Sequence, residues 1–167
     1  MPDRLKNKRV LVTQCIDYMG PAITQLFTQE GALIDARPGI VPAAGAFAEY
    51  VSQNADIDIL VANLAHAPCN SPTADIQDAD WEGMFDTMVH PLMRLIRHFA
   101  PLMAERGHGK IVAITSAAPL RGLPGSAAYC AARGAQNAFI RATGLEFAAA
   151  NVQINAIAQN YVSNPEY

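Results

Sequence analysis

The chain has 167 residues, with 12 Lys+Arg against 15 Asp+Glu and a formal net charge of −3. Apolar residues make up 51% and charged residues 16%, a balance that excludes a disordered chain and suits a single domain spanning residues 1–167. A charge this small, with no run of Lys or Arg, gives no electrostatic ground for nucleic acid or an anionic membrane as partner.

No window of 18 apolar residues exists, which excludes a membrane-spanning helix. The N-terminal apolar stretch is too short for a signal peptide. The three cysteines, Cys15, Cys69 and Cys130, lack C-x-x-C spacing. They point to neither a disulfide framework nor a zinc site, and to a reducing, cytoplasmic setting.

The predicted elements alternate between strand and helix. Residues 8–14 (KRVLVTQ) form a buried strand, and Ile23, Leu26 and Phe27 mark a helix over 20–30 that Gly31 ends. Residues 32–36 (ALIDA) form the second strand, 43–53 a helix, and 57–65 (IDILVANLA) a third strand. The near-continuous apolar run of that third strand suits a parallel sheet covered on both faces. Turn chemistry at 67–73 precedes a long helix over 80–105, which Pro91 and Pro101 should bend or interrupt. A strand at 110–116 (KIVAITS), a helix at 127–148 and a last strand at 152–157 complete the chain. This order implies an α/β fold, a doubly wound parallel sheet in three α/β/α layers, with its ligand at the carboxyl ends of the strands.

Two clusters carry chemistry. The first is the loop after the first strand, Thr13-Gln-Cys-Ile-Asp-Tyr-Met-Gly20. Dinucleotide-binding turns place glycines here, because backbone must approach a pyrophosphate closely. Against the Thr-Gly-x-x-x-Gly-x-Gly pattern of short-chain dehydrogenases, Gln14 and Tyr18 replace the first two glycines and only Gly20 is kept. The Tyr18 phenol should therefore project into the space of a nicotinamide dinucleotide. The second strand ends in Asp35-Ala36-Arg37-Pro38, an irregular spacing for a ribose-binding acid.

The second cluster is Ser116, ending a strand, with Tyr129 and Arg133 one helical turn apart on one face. A tyrosine of pKa about 10 is a poor base at neutral pH. A fixed positive charge within about 4–6 Å favours the phenolate, and arginine does not titrate away. Ser116 can donate a hydrogen bond to a substrate oxygen.

Ser-x12-Tyr-x3-Arg resembles the Ser-x12-Tyr-x3-Lys signature of the short-chain dehydrogenase/reductase superfamily. Arg for Lys, together with Thr13, Tyr18 and Gly20 in the first loop, is similar to its halohydrin dehalogenase branch. Val89-His-Pro91 and Ile157-Ala-Gln-Asn-Tyr-Val162 are further similar stretches, and Met88 takes the place of an Asn usual in the dehydrogenases.

The resemblance implies a Rossmann-like fold lacking its last strand and C-terminal helices. It also implies reversible conversion of vicinal haloalcohols to epoxides and halide without a redox cofactor. Tyr129 would be the base, Ser116 the holder of the substrate oxygen and Arg133 the charge beside Tyr129. Halide would lie against Tyr18 and the loop Gln159, Asn160, Tyr161 and Val162. Small anions would open epoxides in reverse, and the chain would form a homo-oligomer, a dimer or a tetramer.

Two alternatives stand beside this one. One is an NAD(P)-dependent reductase, which needs room for a nicotinamide. The other is a non-catalytic small-ligand binder or inactive fragment. His66, His90, His98 and His108 show no metal spacing, and His66 and His90 are the two that could approach the site. Trp81, Met84, Met88, Met93 and Met103 read as packing residues, and Cys130 lacks a neighbouring His to activate it.

Overall fold

In the computed structural model, residues 3–52, 54–66, 70–160 and 162 are described. The short β-branched runs form strands and the 3.6-periodic runs form helices, in near-strict alternation. The elements are β1 (Arg9–Val12), α1 (Gly20–Gln29), β2 (Leu33–Ala36), α2 (Ala44–Val51), β3 (Ile59–Asn63) and α3 (Asp78–Met84). After α3 come α4 (His90–Glu105), β4 (Gly109–Ser116), the short α5 (Ala118–Arg121), α6 (Ala127–Phe147) and β5 (Val152–Gln159).

All strand pairs are parallel, in the order β2-β1-β3-β4-β5. The order in which strands are added reverses between β1 and β3, the crevice at which such sheets bind ligands. The register aligns Val12 with Ala36 and Val61, Asn63 with Ile114, and Ser116 with Gln159. The loops that follow the strands therefore emerge along one edge.

Every residue of β3 is buried, as a strand covered on both faces requires. One face packs Leu11, Leu60, Ile111 and Ile154 against Phe47 and Val51 of α2, Leu92, Leu95, Ile96, Phe99 and Met103 of α4, and Ile140 of α6. The α4 residues recur at i, i+3, i+4, i+7 and i+11, one stripe of the helix. On the opposite face, Val10, Val12, Ile59 and Val61 pack against Ile23 and Phe27 of α1. Truncating a fully buried side chain such as Phe99 would cost about 3–5 kcal/mol.

The predicted helix over 80–105 is α3, a π-helical turn at Phe85–Val89 and α4 in succession. Pro91 follows the wide turn directly, at the start of α4. A proline ring crowds the carbonyl four residues earlier and offers no N–H, and the π turn absorbs both demands. Pro101 lies inside α4 without ending it, on an exposed side where water can serve the freed carbonyl. The α5 turn and the 3₁₀ turn at Thr73–Asp75 have no counterpart in the periodicity. Among the described residues, no helix is long and apolar enough to cross a membrane.

Candidate active site

The first loop keeps a glycine-type backbone without the glycines. Gln14 and Tyr18 have φ of 43° and 52°, the left-handed region that costs an L-residue about 1–2 kcal/mol. Four hydrogen bonds to the end of β3 hold the loop there. Asn63 donates its amide to the carbonyls of Gln14 (2.9 Å) and Asp17 (3.0 Å). The Gln14 side chain, 3% exposed, accepts from the Ala65 N–H at 2.8 Å and donates to the Ala65 carbonyl at 3.3 Å. The predicted role of Gln14 as a bare substitution for glycine is thus incomplete: its amide turns inward and rivets the loop.

A Cβ on Gly20 would lie 2.4 Å from the Gln14 carbonyl oxygen, so only glycine lets α1 start this close beneath the loop. Met19, the N-cap of α1, makes no side-chain cap, and the first turn has no acidic residue. That uncapped end, next to a left-handed loop, is suited to an anion such as a phosphate.

The second cluster assembles at the carboxyl end of β4. Ser116, Tyr129 and Arg133 line one cavity of about 370 Å³ together with Tyr18, Met19, Asn63, His66, Asn70, Leu123, Ser126, Gln159, Asn160 and Val162, among others. Its size is that of a small-molecule site. Ser116 Oγ accepts from the Ala118 N–H at 3.1 Å, so its own hydrogen remains available to a substrate oxygen. Asn137 donates to the Ser116 carbonyl at 3.0 Å and fixes the strand end.

Arg133 is only 6% exposed. One terminal nitrogen donates to the carbonyls of Leu64 (2.9 Å) and Ile114 (3.1 Å) and to Gln136 Oε1 (2.9 Å). Gln136 in turn donates to the Met88 carbonyl in the π turn at 2.8 Å. The guanidinium is thus immobilised between β3, β4 and the helix layer. Its carbon lies 5.3 Å from the centroid of the Tyr129 ring, within cation–π range.

Of the predicted anion-binding residues, Tyr18, Gln159, Asn160 and Val162 line this cavity, while Tyr161 lies outside the described residues. Asn160 Oδ1 also accepts from Arg121 at 2.7 Å. His66 lines the cavity; His90 is not in its lining and pairs with Asp86 at 2.9 Å. Trp81 stacks on Phe85 at 5.1 Å, and Met84, Met88 and Met103 are fully buried, as packing residues should be. Among the described residues, no three His, Cys, Asp or Glu form a metal-binding group.

Gln136, Asn137, Asn70 and Ser126 escaped the sequence reading. Their spacing carries no signal, because their partners are backbone atoms or side chains on other elements. A second cavity of about 270 Å³, lined by Gln14, Asp17, Tyr18, Ile40, Ala65, His66 and Thr87, shares three residues with the first. Tyr18 and His66 stand where the two adjoin. Beyond the loop, Arg37 pairs with Asp35 at 2.8 Å and lies over Tyr50 at 5.4 Å. Burial pushes the Tyr50 hydroxyl pKa up, so it stays neutral.

Residues 42–166 match the short chain dehydrogenase family. The chain is 30% identical to the uncharacterized oxidoreductase YvrD of Bacillus subtilis, covering 92% of this chain and 68% of that one. It is 29% identical to nodulation protein G of Azospirillum brasilense, over 95% and 76% of the two chains. A solved structure described as a dehalogenation enzyme is 29% identical, with a TM-score of 0.84 over 98% of this chain and 76% of its own.

The expectation that no redox cofactor is involved is corrected by these relatives. An oxidoreductase is among them, and the fold is shared with an NAD+-bound xylitol dehydrogenase (22% identical, TM-score 0.87, covering 98% and 74%). Gln14 and Tyr18 stand at positive φ, the region glycine favours, so their replacing glycines is by itself no warrant for the loss of a dinucleotide. The resemblance to the superfamily holds, whereas none of these relatives names the halohydrin branch. With the family match spanning three quarters of its length and Ser116 and Tyr129 at the signature spacing, the chain belongs to the short-chain dehydrogenase family.

Proposed function

We propose that this chain is an oxidoreductase of the short-chain dehydrogenase type, interconverting a small secondary alcohol and its ketone with a nicotinamide dinucleotide. The observation that carries this reading is the convergence of Ser116, Tyr129 and a buried Arg133 on one cavity beside the uncapped start of α1. The loop from Gln14 to Met19 and the α1 N-terminus would hold the pyrophosphate. When bound, the dinucleotide supplies or accepts the hydride at the carbinol carbon.

The chain's own residues handle the oxygen. In the reducing direction Tyr129 donates its phenolic proton to the carbonyl oxygen, and Ser116 steadies that oxygen through its free hydroxyl hydrogen. Arg133, locked by three hydrogen bonds, offsets the negative charge left on the phenolate. In the oxidising direction Tyr129 takes the carbinol proton instead. Fixed donors next to the reacting oxygen need no reorganisation during the step.

A second reading, ring closure of a vicinal haloalcohol, has Tyr18 in its favour, together with the 29% identity to a dehalogenation enzyme. There Tyr129 removes the hydroxyl proton, the alkoxide attacks the adjacent carbon and halide leaves toward Tyr18 and the Gln159–Val162 loop. Orientation would supply most of the acceleration. One experiment separates the two: small ketones with reduced nicotinamide, and vicinal haloalcohols with halide detection, assayed on the same protein. Nicotinamide oxidation supports the oxidoreductase; halide release without it supports the haloalcohol reading.

A further inference from the structure

Ser126 is the N-cap of α6, a position where serine normally accepts a hydrogen bond from the helix's first N–H groups. It makes no such cap here. Its hydroxyl instead donates to Asn70 Oδ1 at 2.8 Å, across 56 residues of chain. The two loops are joined again by the Ser71 N–H donating to the Gly125 carbonyl at 2.8 Å and by a parallel bridge between Ser71 and Ser126.

Gly122 and Gly125 have φ of 74° and 75°, with open space where a side chain would stand. The turn needs them for backbone conformation, and it places Leu123 on the cavity wall. Asn70 and Ser126 line the same cavity as Ser116 and Tyr129. With its oxygen held by Ser126, the Asn70 amide has a fixed orientation, and its Nδ2 makes no hydrogen bond among the described residues. Ser126 stands three residues before Tyr129, at the cap of the same helix.

We propose that the Asn70–Ser126 pair is a second polar anchor of the substrate pocket. The substrate would then be a small bifunctional ketone or carbinol. One oxygen sits at Ser116 and Tyr129, the apolar body lies under Leu123, and a second acceptor, a carbonyl or carboxylate a few bonds away, receives the Asn70 N–H. This rests on the oxidoreductase reading above.

The test compares a γ-keto ester with the plain ketone of equal length in the wild type, Asn70→Ala and Ser126→Thr. The wild type should favour the ester by about tenfold in kcat/KM, through KM, the worth of one hydrogen bond to a ligand. Asn70→Ala should bring the ratio to about one, and Ser126→Thr, which keeps the hydroxyl, should retain it. A wild type that treats both ketones alike, or an Asn70→Ala variant that keeps the preference, overturns the anchor. Turnover of neither ketone refutes the oxidoreductase reading. The anchor is then decided by calorimetric binding of the γ-keto ester: binding by the wild type that Asn70→Ala loses upholds it, and no binding, or binding that survives, overturns it.

Discussion

The two ends of the cleft achieve the same end by opposite means. At the β4–α6 end Ser116 and Tyr129 of the family signature are present, with Arg133 in the place of its Lys, and a dense set of hydrogen bonds fixes this end. At the β1–α1 end two signature glycines are gone, yet Gln14 and Tyr18 stand there at positive φ, the region glycine favours. One end keeps two of the three signature side chains, and the other holds glycine-favoured φ without its glycines. The difference teaches that a lost motif is not a lost geometry when neighbouring polar groups, here Asn63 and the Gln14 amide, hold the strained turn.

Substitutions at each end sharpen the contrast. Tyr129→Phe should reduce turnover by about 10²–10⁴-fold, the range of general acid–base catalysis, with the melting temperature unchanged. A variant that keeps full rate would remove Tyr129 from the chemistry. Arg133→Met should do more than slow the reaction, because it strips partners from the Leu64 and Ile114 carbonyls and from Gln136. Unsatisfied buried groups of this kind predict a loss of about 2–3 kcal/mol in urea unfolding.

At the other end, Gln14→Ala removes two buried hydrogen bonds while keeping the strain, for about 2 kcal/mol. Gln14→Gly should recover about 1 kcal/mol of that by relieving the left-handed backbone. Equal stabilities for the Ala and Gly variants would mean that the loop stores no strain. Tyr18→Gly should tighten dinucleotide binding by opening the junction of the two cavities.

The smallest effect lies away from the cleft. Burial lowers the His98 pKa below its usual value, where the ring meets Phe47 and Phe99 edge-on. As pH falls through about 6.5, the unfolded chain takes up a proton that the folded chain does not. Stability should therefore fall modestly below that pH until the lower folded pKa is passed. His98→Phe should flatten this limb of the thermal-melting profile.

Much of this was legible in the sequence, for definite reasons. The strands of the sheet interior announce themselves as apolar runs, and the Ser116, Tyr129 and Arg133 spacing sets all three on one cavity. The π turn before Pro91 was not legible, because a proline in a helical pattern signals disturbance without saying which turn absorbs it. Nor was the inward turn of Gln14, since an identity at a glycine position says nothing of φ or of the Ala65 groups it meets. Asn70 and Ser126 lie too far apart in sequence for any periodicity to pair them.

The central claim is that Tyr129 moves a proton at a substrate oxygen in a nicotinamide-dependent reaction. The most direct measurement follows the oxidation of reduced nicotinamide by the purified chain with small ketones, beside Tyr129→Phe. The account predicts ketone-dependent oxidation that the variant loses. Absence of any oxidation in the wild type, with halide released from a vicinal haloalcohol by the same sample, would contradict it.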